Sequence, residues 1–126
     1  MRSKGMGMRV YWDDCGNGPT SEQAKDIDLR EADLIWSDQV RGLRGNFLGL
    51  IDESDRTVQF YFQSDIPDDV DDAGHLQIVM MDFPQPERKG SYGKLVTIGE
   101  VHRLIERVFS VGADPRQFGE MTFSSW

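Results

Sequence analysis

The clearest hydrophobic pattern in the chain lies in residues 46–63, where two apolar runs flank a short charged segment. The first run is F-L-G-L-I, the second is V-Q-F-Y-F, and D-E-S-D-R lies between them. Two such runs joined by a few polar residues are typical of a β-hairpin. Strand alternation places Phe60 and Phe62 on one face and Tyr61 on the other. If helices cover the first face, Tyr61 is the hairpin residue that remains available to a partner.

Two helices are predicted from apolar residues that recur at spacings of three and four. The first spans residues 28–43, where Asp28 and Glu31 match a capping box and Gly42 provides an end. A strand at residues 32–36 is the competing interpretation of this segment. The second helix spans residues 97–111, because T-I-G-E at its start is a capping box and Gly112 follows its last apolar residue.

The remaining apolar segments predict strands at residues 8–13, 75–82 and 121–126. The second of these should end before F-P-Q-P, because proline has no N–H to donate to a ladder. Residues 87–93 are predicted as a mobile polar loop, and residues 94–96 as a short strand or a lead into the helix. The order β-α-β-β-β-(β)-α-β lacks regular β-α-β alternation. It predicts an α+β fold, with a mainly antiparallel sheet of about five strands and two helices packed on it.

The length of 126 residues predicts a single α+β domain over residues 1–126, with residues 1–7 as a disordered lead. No apolar run approaches the ~20 residues of a membrane-spanning helix. The basic N-terminus is not followed by an apolar region, so it does not match a secretory signal. A single cysteine excludes an internal disulfide and favours the cytoplasm.

The formal charge of −8 disfavours nucleic acid and anionic membranes as direct partners, because both are polyanions, and it favours a basic partner. Much of this charge lies in one segment, residues 64–74, which we call the acidic segment. Either it is simply a solvated loop, or it is a contact surface for a basic partner. Its five carboxylates are Asp65, Asp68, Asp69, Asp71 and Asp72.

Candidate catalytic and metal-binding patterns are weak. Cys15, His75 and His102 are the only thiol and imidazole groups, and their spacing matches no zinc motif. The G-N-G at residues 16–18 lacks the lysine and third glycine of a phosphate loop, so a turn is favoured. A calcium loop that starts at Asp69 would have Met80 where a bidentate glutamate is required. We therefore predict no catalytic residue, no metal and no cofactor.

The last third of the chain carries a family resemblance. It combines G-S-Y-G at residues 90–93, the capped helix, G-A-D-P at residues 112–115 and a final strand that ends at Trp126. Upstream, the first helix precedes the strand that begins N-F-L at residue 46. Over residues 28–126 this pattern resembles small immunity proteins of bacterial polymorphic-toxin systems, in particular those that neutralise deaminase-type toxins. The acidic segment departs from that pattern.

The resemblance implies a non-catalytic cytoplasmic protein that binds and blocks a cognate protein toxin, one that is basic and acts on nucleic acid or as a deaminase. It carries over no catalytic motif and no contact residues. We place the predicted partner contact at the acidic segment and Tyr61, because long-range attraction would steer a basic toxin there. The alternative is a small enzyme or ligand-binding domain with a cleft beside the sheet.

Overall fold

The computed structural model describes residues 7–126, and within this range seven strands form one sheet against which two α-helices pack. The strands are β1 (Arg9–Asp13), β2 (Lys25–Asp26), β3 (Phe47–Ile51), β4 (Thr57–Phe62), β5 (Val79–Gln85), β6 (Gly90–Val96) and β7 (Thr122–Ser125). The helices are α1 (Leu29–Asp38) and α2 (Val101–Val111). The spatial order is β2-β1-β3-β4-β5-β6-β7, and every neighbouring pair is antiparallel. The predicted α+β class and antiparallel sheet are confirmed.

The hydrophobic core lies on one face of the sheet, where both helices pack. Alternate residues of β4 are fully or almost fully buried, and α1 and α2 contribute Trp36 and Ile105 to the same cluster. The Trp36 ring stacks on Phe62 of β4, with centroids 5.2 Å apart and an interplanar angle of 2°. An aromatic pair of this kind adds about 1 kcal/mol beyond the area that it buries. Neither α-helix of the described chain packs on the opposite face of the sheet.

The hairpin at the centre of the chain forms as predicted. β3 and β4 pair from Phe47 opposite Tyr61 to Ile51 opposite Thr57. The turn closes with a hydrogen bond from the backbone N–H of Asp52 to the carbonyl of Arg56 at 2.9 Å. The sequence signal was local, since it consisted of two apolar runs and a polar turn, and the hairpin is itself a local structure.

Helix α1 begins as predicted but ends earlier. Its capping box is formed, because Glu31 N–H donates to the Asp28 carboxylate at 2.8 Å and Glu31 accepts from Asp28 N–H at 3.3 Å. The predicted end at residue 43 was wrong, since the helix stops at Asp38. A Cβ on Gly42 would lie 2.2 Å from Ile66 Cδ1, so the chain here packs closely against the acidic segment. This tertiary contact overrides the helical periodicity.

Helix α2 confirms the presence and the end of the second predicted helix, but the regular helix begins at Val101 and not at residue 97. Thr97 N–H donates to the Glu100 carboxylate at 2.8 Å and Glu100 N–H donates to Thr97 Oγ1 at 3.2 Å, which completes the capping box. The regular helix follows at once and ends at Val111. Gly112 then takes a φ of 83°, a left-handed conformation that glycine adopts without steric cost.

The bounds of β5 differ from the strand predicted at residues 75–82, since it begins at Val79 and ends at Gln85. This strand continues through Phe83 and Pro84, whereas the sequence predicted a stop before that proline. The β4 ladder already ends where Gln59 pairs with Asp82, and Pro84 pairs with Ser91 of β6. A proline is tolerated there because no described residue of β4 pairs with it, so its lack of an N–H breaks no hydrogen bond to that strand.

The prediction of about five strands was too low, and β6 and β2 account for the difference. Residues 90–96 form a seven-residue strand between β5 and β7, not a mobile loop and a short strand. Gly90 allows the Phe123 ring to pack closely on β6, since a Cβ at this position would lie 2.5 Å from Cζ of Phe123. β2 has only two residues, too few to produce a recognisable pattern.

Among residues 7–126, no helix has the length and apolar character needed to cross a membrane. The predicted disordered lead falls almost entirely on residues 1–6, which lie outside the described range. At the other end of the chain, the side chain of Trp126 is 70% exposed.

Candidate functional site

The uncovered face of the sheet carries a row of residues that crosses six strands. The strand registers align one residue from each strand, and we call this set the central row. From β1 to β7 its members are Tyr11, Gly49, Gln59, Asp82, Gly93 and Thr122. Two of the six positions are glycines, so the row has two places where a side chain from elsewhere can lie against the backbone.

The first glycine position is filled from within the chain. The Tyr11 ring lies over Gly49, where an added Cβ would be 2.3 Å from Cζ of the ring. Beyond it, Gln59 Nε2 donates to the Tyr11 hydroxyl at 2.7 Å. Burial raises the pKa of the Tyr11 phenol, the bond from Gln59 opposes this, and the Asp82 carboxylate adds to the rise. Tyr11 is therefore held neutral and tied to the row.

The second glycine position is open. Beside Gly93 lies a depression of about 620 Å³, and no side chain of the described residues covers it as Tyr11 covers Gly49. Burial raises the pKa of the Asp82 carboxyl, and a hydrogen bond with Ser91 only partly opposes this. A partly buried carboxyl with a perturbed pKa in a surface depression is a candidate functional group. We call this place the Asp82 depression.

The acidic segment divides into anchored and free carboxylates. Asp65 accepts a hydrogen bond from Arg44 N–H at 2.7 Å, and Asp72 accepts one from Gly74 N–H at 3.0 Å. These two therefore shape the loop. By contrast, the other three are exposed, and within the described chain no basic group lies within 4 Å of them. These free carboxylates are Asp68, Asp69 and Asp71.

Tyr61, the other predicted contact residue, lies apart from the acidic segment. It is on the uncovered face, opposite Met80 of β5, and it lines the Asp82 depression. The acidic segment is instead attached to the helix-covered side through Ile66, which packs on the core and whose N–H donates to the Gly42 carbonyl at 2.9 Å. The predicted contact residues thus belong to two surfaces, and Asp82 was missed because a lone aspartate in a strand gives no signal.

At the opposite end of β4 from the acidic segment, basic and acidic groups are matched. Arg9 pairs with Asp55 at 2.7 Å, and Arg56 pairs with Asp52 at 2.9 Å. Close by, Arg116 pairs with Asp114 at 3.0 Å. The cations near the hairpin turn are therefore neutralised locally, whereas the acidic segment holds three unmatched carboxylates within four residues.

Asp52 is the centre of a buried network at that turn. Its carboxylate accepts from the backbone N–H groups of Ala113 at 2.8 Å, Ser54 at 2.9 Å and Arg56 at 2.9 Å. Burial opposes ionisation of this carboxyl, but the hydrogen bonds together outweigh burial and lower its pKa. The sequence showed Asp52 only as a turn residue, because its distant partner could not be seen.

A serine, a histidine and an aspartate meet between the two helices. His102 of α2 lies with Nδ1 3.0 Å from the Asp33 carboxylate and Nε2 3.3 Å from the Ser37 hydroxyl, both on α1. This is the connectivity of a Ser-His-Asp triad. However, the three side chains lie on the exposed outer surface of the helices, and the N–H groups of an α-helix interior are bonded to preceding carbonyls. No backbone donor is thus placed to form an oxyanion hole beside Ser37.

The other chemical candidates have structural roles. The G-N-G sequence forms a tight turn, in which Asp14 and Asn17 exchange backbone hydrogen bonds at 2.8 and 3.0 Å. Cys15 N–H donates to the Asn46 side chain at 2.8 Å, while both nitrogens of His102 face α1. Nowhere in residues 7–126 do three His, Cys, Asp or Glu side chains gather as they would to hold a metal ion.

Comparison with known proteins identifies no relative: no protein-family model, no curated protein and no solved structure matches this chain.

Proposed function

We propose that this protein is a non-catalytic immunity protein that binds and blocks a cognate toxin in the bacterial cytoplasm. The toxin would be a basic protein that acts on nucleic acid or as a deaminase. The observation that carries the proposal is the charge separation along β4. The cations near the hairpin turn have carboxylate partners, whereas Asp68, Asp69 and Asp71 have none among the described residues.

Unmatched like charges on one loop repel each other, and a basic surface would relieve that repulsion. Toxins that bind nucleic acid need a cationic rim around the active site. Attraction between such a rim and the acidic segment would raise the association rate by about 10- to 1,000-fold. Charge alone gives salt-sensitive binding, so tight inhibition also needs a desolvated anchor. The uncovered face of the sheet, with Tyr61 and Asp82, supplies a surface for one.

The direct test is co-expression with the product of the adjacent toxin-like gene in bacterial cells. We expect this protein to restore growth and to co-purify with that product. Asp68, Asp69 and Asp71 changed together to asparagine should slow association at low salt, with a smaller effect at high salt. The matched control changes three exposed glutamates outside the acidic segment, Glu53, Glu87 and Glu106, to glutamine, which alters the net charge equally.

Two outcomes would count against the proposal. If cells are not protected and no complex forms, the immunity function is wrong. If the two triple variants slow association equally, net charge acts without a specific contribution from the acidic segment.

The second candidate function is hydrolysis, and the geometry of Ser37, His102 and Asp33 favours it. In this role Ser37 would be the nucleophile, His102 the general base and Asp33 the group that orients the imidazole. If Ser37 is a nucleophile, a fluorophosphonate probe labels the wild-type protein and does not label the Ser37→Ala variant. We expect no labelling, because the helix supplies no oxyanion donors. Labelling confined to Ser37 would support the hydrolytic function.

A further inference from the structure

The surroundings of the two glycines in the central row can be compared directly, because both residues lie on the same face of one sheet. Gly49 is covered by the Tyr11 ring, whose hydroxyl accepts a hydrogen bond from Gln59. Gly93 lies on the other side of Asp82, where an added Cβ would be 3.1 Å from Met80 Sδ and 3.6 Å from Asp82 Oδ1. Gly93 is thus approached by the flexible Met80 side chain and by Asp82, whereas Gly49 is covered by a ring that a hydrogen bond holds in place.

The lining of the depression includes two carboxylates and one ammonium group, so negative charge exceeds positive charge. Asp82 and Glu120 both line it, and no basic group of the described residues lies within 4 Å of either carboxylate. Lys94 supplies the ammonium group, which donates to the neutral backbone carbonyl of Phe118 and keeps its positive charge, so it offsets only one of the two carboxylates. A carboxylate that is partly removed from water and lacks a cation gains more from a cationic ligand than an exposed one does.

The walls of the depression are mainly apolar and aromatic. The apolar part of the lining includes the Tyr61 ring, the Met80 side chain and Leu95, which is 41% exposed although it is a large apolar residue, and Thr122 and Ser124 add polar groups. Such walls disfavour a strongly hydrated ammonium or metal ion. They suit a planar cation that can lie against a ring and also direct N–H groups to a carboxylate.

We propose that the Asp82 depression is a receptor for the guanidinium group of an arginine side chain presented by a basic protein partner. The guanidinium donates to Asp82 and to the Ser91 hydroxyl, and its face packs on Tyr61. Glu120 stands at the rim and adds long-range attraction. This inference rests on the proposed function, since it names the part of a toxin that this face would hold. The acidic segment attracts the partner, and the depression anchors it.

The test uses the full-length protein and two small probes, N-acetyl-arginine amide and N-acetyl-citrulline amide. Citrulline has nearly the shape of arginine but no charge. In NMR titrations we expect saturable shifts at Tyr61, Asp82, Ser91 and Leu95 with the arginine probe, and at least tenfold weaker binding of the citrulline probe. Asp82→Asn should weaken arginine binding at least tenfold. Gly93→Ala should also weaken it, because the new methyl group narrows the space beside the carboxylate.

The matched control is Glu53→Gln, which removes one exposed carboxylate at the hairpin turn and should leave binding unchanged. Equal binding of the two probes, no saturable shift at the depression, or unchanged binding by Asp82→Asn would overturn the inference. If Asp82→Asn protects cells from the toxin as well as the wild type does, the arginine receptor is wrong and the immunity function stands. If the arginine probe binds at Asp82 but no toxin is neutralised, the receptor stands and the immunity function is wrong.

Discussion

The Asp52 carboxylate accepts a hydrogen bond from the backbone N–H of Ala113 at 2.8 Å, although the two residues are 61 positions apart. Both residues are buried. This single contact joins the turn of the central hairpin to the segment that leaves α2. The sheet and the last helix are therefore fixed to each other by a charged group that the sequence showed only as part of a polar turn.

Replacing Asp52 with alanine should destabilise the protein by about 3 kcal/mol, because the buried N–H of Ala113 and the Arg56 guanidinium would lose their acceptor. Chemical denaturation measures this as a lower midpoint with an unchanged slope. The neighbouring exposed residue provides the control, since Glu53→Ala should change stability by less than about 0.5 kcal/mol. Similar losses in the two variants would show that the Asp52 network contributes nothing specific.

The Asp52 network also predicts that the free energy of unfolding depends on pH. Its folded-state pKa is below the ordinary carboxyl value of 3.8, so its stabilisation is present above that value and is lost as the pH falls through the folded pKa. The free energy of unfolding of the wild type should therefore exceed that of Asp52→Asn at neutral pH, and the difference should shrink in acid. Denaturation midpoints from pH 7 down to pH 2 would measure it. A constant difference would mean that the lost contacts do not depend on the charge.

The contribution of Asp82 to stability should depend on pH in the opposite direction. Its folded-state pKa is raised, so its favourable contribution exists at low pH and is lost as the pH rises from the ordinary carboxyl value through the raised one. Asp82→Asn should consequently be more stable than the wild type at pH 7, and the two should converge in acid. A less stable variant at pH 7 would indicate that the Ser91 hydrogen bond outweighs the cost of burying the charge.

The elements that sequence analysis located correctly depend on neighbours in the chain. The hairpin turn and the Thr97–Glu100 capping box are formed by residues three to five positions apart, and such signals survive folding. The early end of α1 depends on Ile66, and β6 is a strand because β5 and β7 pair with it. Local sequence patterns carry no information about contacts between residues that are far apart in the chain.

The candidate site was harder to predict for the same reason. The central row brings Tyr11, Gln59 and Asp82 together from three strands, and the registers that align them are set by the whole sheet. Of the residues at the Asp82 depression, Tyr61 alone was predicted as a contact, since hairpin alternation placed it on the uncovered face. The acidic segment was visible because its residues are consecutive in sequence.

The two glycines of the central row provide the last prediction. Gly49→Ala should destabilise the protein by about 2 kcal/mol, because its Cβ would overlap the Tyr11 ring, which cannot move without breaking its bond to Gln59. Gly93→Ala adds the same methyl group on the same row, but its one tight contact is with Met80 Sδ at 3.1 Å on a flexible side chain, while Met81 O at 3.4 Å and Asp82 Oδ1 at 3.6 Å are ordinary contacts, so its effect should stay within about 0.5 kcal/mol. Thermal or chemical unfolding of the two variants compares them directly. In a Tyr11→Leu background the cost of Gly49→Ala should fall sharply, since the two residues are in contact. Equal costs for the two glycine variants would show that neither position is shaped by what covers it.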